Sequence, residues 1–542
     1  MYIRANFVDI LSRRIDPVEV VVEEGKIVSI TPTTEVCSTY ILPGFIDAHI
    51  HIESSMLIPT EFARLAVLHG SVATVSDPHE IANVLGIRGV EFMLTNGDQS
   101  DFKFYFGASP CVPATPFETS GATLDAKSID VLLQNPKIKF LSEVMNFPGV
   151  IGGDEELMKK IAAAHALKKP VDGHAPGLRG EALTRYIAAG ITTDHEAFSY
   201  EEGREKLQKG MKILIREGSA AKNFEALHPL IDEFYEQLMF CSDDRHPNDL
   251  LRGHINTLVC RALKMGHDLF RVLQIACINP INHYGLDVGM LRIGDSADFI
   301  EVVDLVDLVD FKILKTVIGG KIVAENGVVL LPSVEVEPLN QFHAHSKTAT
   351  DFAVACCEKT EVIVALDHEL ITHEMKEHLV CHEGDEIGDS ARDILKIAVI
   401  NRYADYSPSV AFVHGFGLKK GAIASSIAHD SHNIIAVGCS DEEIAEAVNL
   451  VIASRGGISA VGGGLDEVIA LDIGGIMSSH DAFGVADSYE RLSNLVKEEL
   501  GSTLSEPYMT LSFMALLVIP ELKLSDKGLF DANNFRFIPT CV

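Results

Sequence analysis

Eight short apolar runs recur between residues 41 and 247, and segments with helical periodicity separate most of them. Short apolar runs that alternate with amphipathic segments are typical of parallel strands joined by helical crossovers. Eight such units over roughly 240 residues match a (β/α)₈ barrel, which is typically about 250 residues long. The predicted strands lie at residues 41–52, 71–79, 102–110, 138–146, 170–177, 190–197, 211–219 and 238–247. We therefore predict an α/β fold built on a TIM-like barrel over residues 43–284.

Two β-rich segments flank the predicted barrel. Apolar and polar positions alternate in VEVVVEEGKIVSI (residues 18–30), and a similar alternation returns in LKTVIGGKIVAENGVVL (residues 314–330). Alternation with a period of two predicts half-buried strands. We predict that residues 1–42 and 285–332 form a small composite β-sandwich. Amphipathic helices and strand-like runs then mix over residues 333–542, which predicts a C-terminal α/β domain.

Charge and composition exclude several classes of partner. The formal charge of −32, from 45 basic and 77 acidic residues, argues against nucleic acid or an anionic membrane as a partner. No apolar run reaches the roughly 18 residues that span a bilayer, and the N-terminus carries charges where a signal peptide needs apolar residues. The ten cysteines include no CxxC pair, which favours a reduced chain without a disulfide framework. We therefore predict a cytoplasmic protein.

Imidazoles and carboxylates gather at the ends of the predicted strands. His49 and His51 are two positions apart, so both side chains point to the same face of their strand. In a barrel of this kind, catalytic groups come from the C-terminal ends of the strands. The candidates at these ends are His49, His51, Asp77, His79, Glu80, Glu143, His174, His195, Asp243 and Asp244. Such a mixture of nitrogen and oxygen ligands suits one or two first-row divalent ions such as Zn²⁺, Mn²⁺ or Fe²⁺.

These motifs resemble the amidohydrolase superfamily. That pattern has HxH after the first strand, a carboxylate after the fourth, single histidines after the fifth and sixth, and aspartate after the eighth. Several segments are similar to bacterial adenine deaminases: PGFIDAHIHIESSM, TVSDPHEIANVLG, FLSEVMNFPGV, DGHAPGL, TTDHEAF, CSDDRHP, VINRY, GFGLKKGAIASSIAHDSHNI and ALDIGGIMS. The resemblance covers nearly the whole chain, the flanks and the last region included.

The resemblance implies hydrolytic deamination of adenine to hypoxanthine and ammonia at a two-metal site. Mn²⁺ or Fe²⁺ is the expected metal, with Zn²⁺ as the other option. The implied ligands are His49 and His51 for one ion, His174 and His195 for the other, Glu143 as the bridge, and Asp243 on the first ion. The resemblance also implies a small-molecule substrate (adenine with water), a role in purine salvage and a homo-oligomer, in particular a dimer.

The resemblance also implies roles in the reaction. Metal binding lowers the pKa of water to about 7, so a metal-bound hydroxide would attack C6 of the purine. Asp243 would take the hydroxide proton and return it to the departing amine. Glu80 would protonate or hydrogen-bond N1, His79 would assist at the exocyclic group, and Asp244 would contact N7. Asp77 would bind substrate, although SDPHEIANV also permits a helix whose N-cap is Asp77.

Other functions stay open at this point. One is another amidohydrolase that cleaves a cyclic amide or an N-acetylated small molecule, or acts on a modified 6-aminopurine. Another is a metal-dependent binding protein with an inactive barrel. Ammonia release from adenine would separate the first hypothesis from both. Glu143 at the end of its strand, with Lys139 at the start, departs from the carboxylated-lysine bridge of dihydroorotases and hydantoinases.

We predict structural rather than catalytic roles for two further parts of the sequence. SIAHDSHN contains His429, Asp430 and His432, and we interpret it as a polar loop that supports the C-terminal region rather than as a second metal site. Asp47 lies two residues before His49 on the same face of the strand. We expect it deeper in the barrel, where it would orient a histidine by a hydrogen bond.

Overall fold

The structure, a computed structural model, describes residues 1–219, 221–304 and 312–541. The predicted α/β fold class is confirmed, since a parallel barrel, a composite flank sheet and a mixed C-terminal region are all present. Residues 305–311 of the predicted second flank and residue 542 of the predicted C-terminal domain lie outside the described residues. The domain boundaries themselves stay predictions. Within the described ranges, none of the helices combines the length and the apolar character needed to cross a bilayer.

The chain begins with four strands of the flank sheet. They are β1 (Tyr2–Asp9), β2 (Arg14–Glu23), β3 (Lys26–Pro32) and β4 (Tyr40–Pro43). β1, β2 and β3 pair antiparallel in sequence order. The turn between β2 and β3 contains Glu24 and Gly25, whose φ angles of 49° and 77° are both left-handed. A glycine at the second position makes this turn accessible, as the alternating sequence predicts.

Eight parallel strands form the barrel in two arcs, one of five strands and one of three. They are β5 (Phe45–Ile50), β6 (Ser71–Ser76), β7 (Lys103–Ala108), β8 (Ile138–Val144), β9 (Val171–Gly173), β10 (Thr193–Asp194), β11 (Lys212–Arg216) and β12 (Leu238–Cys241). Each lies within one of the eight predicted runs. The predictions extend too far at the C-terminal ends, because polar site residues continue those runs beyond the last ladder hydrogen bond.

Backbone hydrogen bonds join the two arcs at both seams. At one seam, N of Thr192 donates to O of Val171 at 2.9 Å. At the other, N of Asp243 donates to O of His49 at 3.0 Å, and N of His51 donates to O of Asp243 at 3.4 Å. The second seam therefore sets Asp243 directly beside the histidine pair.

Helices surround the barrel and bury one apolar face each. In α12 (Ile255–Lys264) the buried residues Ile255, Leu258, Val259 and Ala262 follow the i, i+3, i+4, i+7 spacing of an amphipathic helix. The other helices of this part are α1 (Pro59–Ala66), α2 (His79–Leu85), α3 (Ile87–Gly97), α4 (Ala126–Gln134), α5 (Phe147–Gly152), α6 (Glu155–Ala166), α7 (Gly180–Ala188), α8 (Tyr200–Gln208), α9 (Phe224–Leu227), α10 (Ile231–Phe234), α11 (Pro247–Arg252), α13 (Leu269–Leu273) and α14 (Asn279–Tyr284). Short 3₁₀ turns lie at Ile52–Ser55, Val67–His69, His228–Leu230 and Tyr235–Gln237, and a π turn at Gln274–Ile278.

The chain then returns to the flank sheet. Its remaining strands are β13 (Phe299–Val302), β14 (Ile313–Ile318), β15 (Lys321–Glu325) and β16 (Val328–Val329). β13 pairs with β4, which gives one eight-stranded sheet in the order β16-β15-β14-β13-β4-β1-β2-β3. The sheet curls so that N of Ala297 donates to O of Gly25 at 2.8 Å, and a small apolar cluster with Val20 and Phe299 fills its inside.

A mixed eight-stranded sheet dominates the C-terminal region, in the order β18-β17-β22-β21-β24-β23-β25-β26. The strands are β17 (Thr360–Ala365), β18 (Thr372–Glu377), β19 (Val380–His382), β20 (Asp385–Ile387), β21 (Ile394–Ile400), β22 (Ser409–His414), β23 (Ala422–Ser425), β24 (Ile434–Gly438), β25 (Gly457–Gly462), β26 (Leu465–Ala470), β27 (Leu522–Ser525), β28 (Gly528–Asp531) and β29 (Arg536–Phe537). The helices are α15 (Asp441–Ala453), α16 (Ala482–Glu498) and α17 (Pro507–Phe513), with a 3₁₀ turn at Ala349–Phe352.

Alternate residues of β24 enter two separate apolar clusters. Ile434 and Ala436 pack in the cluster that includes α15, whereas Ile435 and Val437 belong to the large cluster shared with the barrel. The sheet is thus buried on both faces, and its second face packs toward the barrel mouth. N of Ser478 donates to O of Met56 at 2.7 Å across this interface.

The expectation of a chain without disulfides is wrong. Cys356 is bonded to Cys381 and Cys357 to Cys541, with Cα–Cα distances of 5.8 and 5.7 Å. These partners are 25 and 184 residues apart in sequence, so no spacing motif announces them. Cysteine spacing alone could therefore not predict the pairing.

Candidate metal centre

The histidine pair of the first barrel strand lies at the barrel mouth. His49 and His51 are buried, with 1% and 3% of their surface exposed. Their Nε2 atoms are 3.5 and 3.1 Å from the same Oδ1 of Asp243. The backbone carbonyl of Asp77 lies 3.1 Å from Nδ1 of His51, which leaves Nε2 of that ring to face the mouth. The period-two spacing therefore directs both imidazoles at one point, as the sequence predicts.

Glu143 at the end of β8 faces two histidine sets at once. Its Oε1 is 3.3 Å from Nε2 of His51. Its Oε2 is 2.8 Å from Nδ1 of His174 and 3.2 Å from Nε2 of His195. One carboxylate thus lies between the pair from β5 and the histidines that follow β9 and β10. Lys139 is at the opposite end of β8, which starts at residue 138.

The side chains around Glu143 and Asp243 fit divalent metal ions. Ligand atoms of His49, His195 and Asp243 lie within 4.8 Å of one another, and so do those of Glu143, His174 and His195. Nε2 of His49 is buried and has no hydrogen-bond partner among the described residues. An unpaired buried imidazole nitrogen is unfavourable, and a metal ion would satisfy it. The imidazole and carboxylate donors suit one or two first-row divalent ions.

Asp243 is held in an unusual backbone conformation. Its φ of 54° is left-handed, a strained region for a non-glycine residue, and the seam hydrogen bonds with β5 maintain it. Nη1 of Arg216 donates to its Oδ2 at 2.5 Å and also to Glu196. Burial opposes the ionisation of Asp243, but Arg216 and the neighbouring histidines outweigh it and hold the pKa well below its usual range. Asp243 is therefore an anion with its Oδ1 facing the histidine pair.

Asp77 does not cap the helix that follows it. The N-cap of α2 is Pro78, with no side-chain cap hydrogen bond, so the capping alternative is wrong. Oδ1 of Asp77 instead accepts from Oγ of Ser109 at 2.5 Å, and Oδ2 lies 3.4 Å from Nδ1 of His79. The same Nδ1 is 3.3 Å from Oε1 of Glu143. Asp77 and His79 thus extend the polar cluster from the metal-ligand candidates toward α2.

Two histidines of the C-terminal region contact the carboxylate of Glu80. Nδ1 of His429 is 2.7 Å from Oε1 of Glu80, and Nε2 of His432 contacts Oε2. Burial favours the neutral acid, but His429, His432 and His79 outweigh it and hold the pKa of Glu80 well below its usual range. Burial likewise opposes a charged His429, yet Glu80 raises its pKa to about 9. At neutral pH Glu80 is therefore a carboxylate and His429 an imidazolium.

The interpretation of SIAHDSHN as a supporting loop misses this contact. The loop reaches the barrel mouth, where His429 and Asp430 line the cavity. In the sequence, the only sign of a role at the site was the concentration of histidine and aspartate in this loop. Periodicity places residues within their own element, so it could not show which barrel helix the loop meets. Glu196 and Arg216 were missed for a similar reason, since each lies beside a predicted strand end without a motif of its own.

The cavity at this mouth is small, about 40 Å³ in volume. Eight of the ten predicted site residues line it, and His49 and Asp77 contact those lining residues. The C-terminal region adds an apolar wall of Leu370, Phe513, Leu516, Val518 and Ile519. A concave site with an apolar wall and a few converging polar groups is typical of small-molecule binding.

Asp244 faces this cavity from the end of β12. Its Oδ1 accepts a hydrogen bond from Oγ of Ser54 at 2.5 Å. Burial, together with the neighbouring Asp243, raises the pKa of Asp244 above its usual value. The two adjacent aspartates therefore differ in proton affinity, with Asp244 the more readily protonated.

Asp47 orients a histidine, but not one of the HxH pair. Its Oδ2 is 2.8 Å from Nε2 of His254, and its Oδ1 accepts from N of Ser242 at 3.0 Å. Oγ of Ser71 is 2.6 Å from Nδ1 of His254. All of these residues are fully buried. Asp47 thus ties β5 to β12 beneath the site.

Residues 40–323 match the family described as the amidohydrolase family, and residues 369–536 match the adenine deaminase C-terminal domain. The adenine deaminase of Sulfurovum sp. is 64% identical over 541 residues, 100% of both chains. That of Salinibacter ruber is 53% identical over 99% of this chain and 98% of its own. That of Methanosarcina acetivorans is 50% identical over 98% of each.

Two solved structures match at lower sequence identity. An adenosine deaminase from Xanthomonas campestris with bound zinc is 16% identical, with a TM-score of 0.45 over 61% of this chain and 94% of that chain. A beta-aspartyl dipeptidase from Fervidobacterium islandicum is 16% identical, with a TM-score of 0.47 over 62% of this chain and 100% of that chain.

Proposed function

Because the chain belongs to the adenine deaminase family of amidohydrolases, we propose that it hydrolyses adenine to hypoxanthine and ammonia at a centre of two divalent metal ions. The observation that carries the two-metal proposal is the position of Glu143, whose two oxygens face separate histidine sets. A carboxylate in that position suits a bridge between two ions. A dimer, a cytoplasmic location and a role in purine salvage stay predictions of the sequence.

The proposed ligands follow the two histidine sets. We assign them as His49, His51 and Asp243 for one ion, His174 and His195 for the other, and Glu143 for both. Imidazole and carboxylate donors suit first-row divalent ions, and we propose Mn²⁺ or Fe²⁺, with Zn²⁺ as the other option. When bound, the ions supply water activation at neutral pH, because coordination lowers the pKa of water to about 7.

Asp243 is the proposed general base. Arg216 occupies its Oδ2, so Oδ1 remains available at the histidine pair. Since its pKa is held low, Asp243 is ionised and can accept the proton of the attacking water. After water adds to C6 of the purine, the same residue can return that proton to the departing amine.

Glu80 is the proposed contact to N1 of the purine. Electron density pushed into the ring collects at N1, which then needs a proton or a strong donor. Glu80 is itself ionised, but the protonated ring of His429 lies beside it, with Nδ1 2.7 Å from Oε1 of Glu80. The pair can therefore deliver one proton through Glu80 to N1 as the tetrahedral carbon forms, and it regains one proton from the new hydroxyl group on C6 as the C–N bond breaks. His79, between Glu80 and Glu143, is proposed to assist at the exocyclic group.

Asp244 and Asp77 complete the proposal. We propose that Asp244, which faces the cavity, contacts N7 of the purine. Asp77 reaches the site through His79. We therefore propose that it orients that imidazole rather than contacting substrate directly.

An ammonia-release assay tests the proposed function. Protein loaded with Mn²⁺ is incubated with adenine, adenosine and the cyclic amide hydantoin, and ammonia and base products are quantified. We expect ammonia and hypoxanthine in equal amounts from adenine. Chelator-treated protein serves as the control. Absence of ammonia from adenine, with protein shown to retain two metal ions, would contradict the proposal.

A further inference from the structure

A buried lysine of the C-terminal region joins two segments of the cavity wall. Lys523 on β27 is fully buried, and its Nζ donates to O of Leu370 at 2.7 Å and to O of Phe513 at 3.0 Å. Leu370 lies between β17 and β18, whereas Phe513 is the last residue of α17. Both acceptor residues line the cavity at the barrel mouth. One side chain therefore ties together two parts of the apolar wall that are distant in sequence.

The two hydrogen bonds of Lys523 do not depend on its charge. Burial lowers the pKa of this amine to about 7. A charged amine carries three N–H donors and a neutral amine carries two, so either form can bond both carbonyls. Lys523 is therefore a permanent donor to the wall rather than a group that releases it when it titrates.

The ring of Phe513 lies flat against the ring of His429. The ring centroids are 4.8 Å apart and the two planes differ by 11°. On its edge, His429 has Nδ1 2.7 Å from Oε1 of Glu80. The preceding residue of α17, Ser512, donates through Oγ to O of Ile427 in the same loop. The end of α17 thus contacts both the backbone and the imidazole of the loop that reaches Glu80.

Several titratable groups face His429, from three other elements and from its own loop. They are Glu80 on α2, Asp244 after β12, His246 before α11, and Asp430 and His432 in the loop itself. The three carboxylates favour the charged imidazole, whereas burial opposes it. α17 contributes the uncharged ring of Phe513. The face of an aromatic ring attracts a cation within about 6 Å of its centroid, so this stack also favours the charged form.

We propose that Phe513 and Lys523 are positioning residues for His429. The ring of Phe513 keeps the imidazolium flat so that its Nδ1 faces Glu80, and Lys523 fixes the carbonyl end of α17. The inference rests on the proposed function, in which His429 supplies a proton through Glu80. Proton transfer requires donor and acceptor within hydrogen-bond reach, so a ring that turns away from Glu80 would transfer its proton poorly.

Direct titration of His429 tests the stack. Histidine-selective NMR of Zn²⁺-loaded protein follows the imidazole, because Zn²⁺ is a d¹⁰ ion and leaves the spectrum diamagnetic. The His429→Gln variant identifies the signal. We expect a midpoint at about pH 9 in wild-type protein. In Phe513→Leu the midpoint should be lower by about 0.5–1.5 pH units. Phe513→Tyr keeps an aromatic ring and should keep the wild-type midpoint.

Turnover of adenine should change in the same order. In Phe513→Leu, kcat at neutral pH should fall by about 10- to 100-fold, the size of a small misplacement. KM should change little, because leucine keeps the wall apolar. Lys523→Met has a similar length but no donors, and we expect kcat to fall in the same direction. Leu516→Ala, on the same wall, is the control, and it should alter KM without moving the decline of kcat at high pH.

The outcomes separate this inference from the proposed function. If Phe513→Leu keeps the wild-type titration of His429, the stack does not hold that ring, whereas adenine deamination stands. Equal shifts in the leucine and tyrosine variants would also overturn the role of the ring, and an unchanged kcat in Lys523→Met would overturn that of the lysine. If wild-type protein with full metal content releases no ammonia, the proposed function fails, yet the titration still decides whether Phe513 stabilises the charged imidazole. Phe513→Met carries the same expectation as the leucine variant if the latter does not fold.

Discussion

Each oxygen of the Glu143 carboxylate meets a different group of imidazoles, and this one side chain joins the two halves of the candidate centre. A neutral replacement would leave the histidines without their shared anion. A buried cluster of imidazoles without that anion also binds cations less well, because the attraction between the bridging charge and the ions is lost.

The Glu143→Ala variant tests the bridge. We expect bound metal to fall from two ions to one or fewer. Activity on adenine should fall by more than the roughly 100-fold that loss of an outer partner causes at metal sites. Elemental analysis of the purified variant beside its turnover rate measures both effects. Glu155→Ala, in the exposed first turn of α6, is the control. Two ions per chain in Glu143→Ala would refute the bridging role.

His429 provides the second test at the scale of single residues. Its imidazolium, with a pKa of about 9, pairs with Glu80 rather than with a proposed metal ligand. His429→Gln should therefore keep both ions but lower kcat by about 10²-fold or more, the size expected for a proton-transfer group.

The change of kcat with pH distinguishes the wild-type protein from the same variant. Because the pKa of His429 is raised, its proton is present below about pH 9 and lost above it. Wild-type kcat should thus decline as pH rises through about 9, and the His429→Gln profile should lack this decline. A variant that loses metal, or that keeps the wild-type profile, would contradict the proton-transfer role.

Residue spacing predicted one part of this site and missed the other. His49 and His51 were predictable because a period of two fixes the side of a strand on which both side chains lie. His429 and His432 were not, because a loop some 350 residues from Glu80 has no period that relates it to α2. Resemblance to a family named the candidate ligands in the barrel, whereas the contact between Glu80 and the C-terminal loop needed the structure.

At the scale of elements, the seam between β5 and β12 supports the site. Asp47 receives hydrogen bonds from Ser242 and His254 under that seam, and the left-handed backbone of Asp243 follows directly above it. All eight barrel strands were predictable, because each is a short apolar run between amphipathic segments. A closed eight-stranded barrel pairs its first strand with its last, so the seam itself was predictable. The hydrogen bonds that set Asp243 beside His49 were not, because they leave no local signal in the sequence.

Replacing Asp47 by alanine should weaken this seam. The N and Oγ of Ser242 and the ring of His254 would lose their acceptor in a fully buried place, so we expect the free energy of unfolding to fall by about 3–5 kcal/mol. Denaturant unfolding followed by circular dichroism measures the change. The exposed Asp130→Ala on α4 should change it by no more than about 0.5 kcal/mol. A loss below about 1 kcal/mol in Asp47→Ala would show that the network contributes little.

At the scale of the whole molecule, the C-terminal region is part of the site rather than an appendage. Its sheet buries one face toward the barrel, and its loops bring His429, Asp430 and His432 to the mouth. Hydrophobic patterning predicted that this region is α/β. It did not predict the face on which the region docks, because both faces of the sheet are apolar and only packing against the barrel distinguishes them.

The most direct measurement is a metal titration of chelator-treated protein with adenine as substrate. Mn²⁺ is added in steps, and ammonia release is recorded against bound metal per chain. We predict negligible release without metal, a rise with added Mn²⁺, and a maximum at two equivalents, because the proposed ligands form two sets that share Glu143. A maximum at one equivalent, or no ammonia at full occupancy, would contradict a two-metal adenine deaminase.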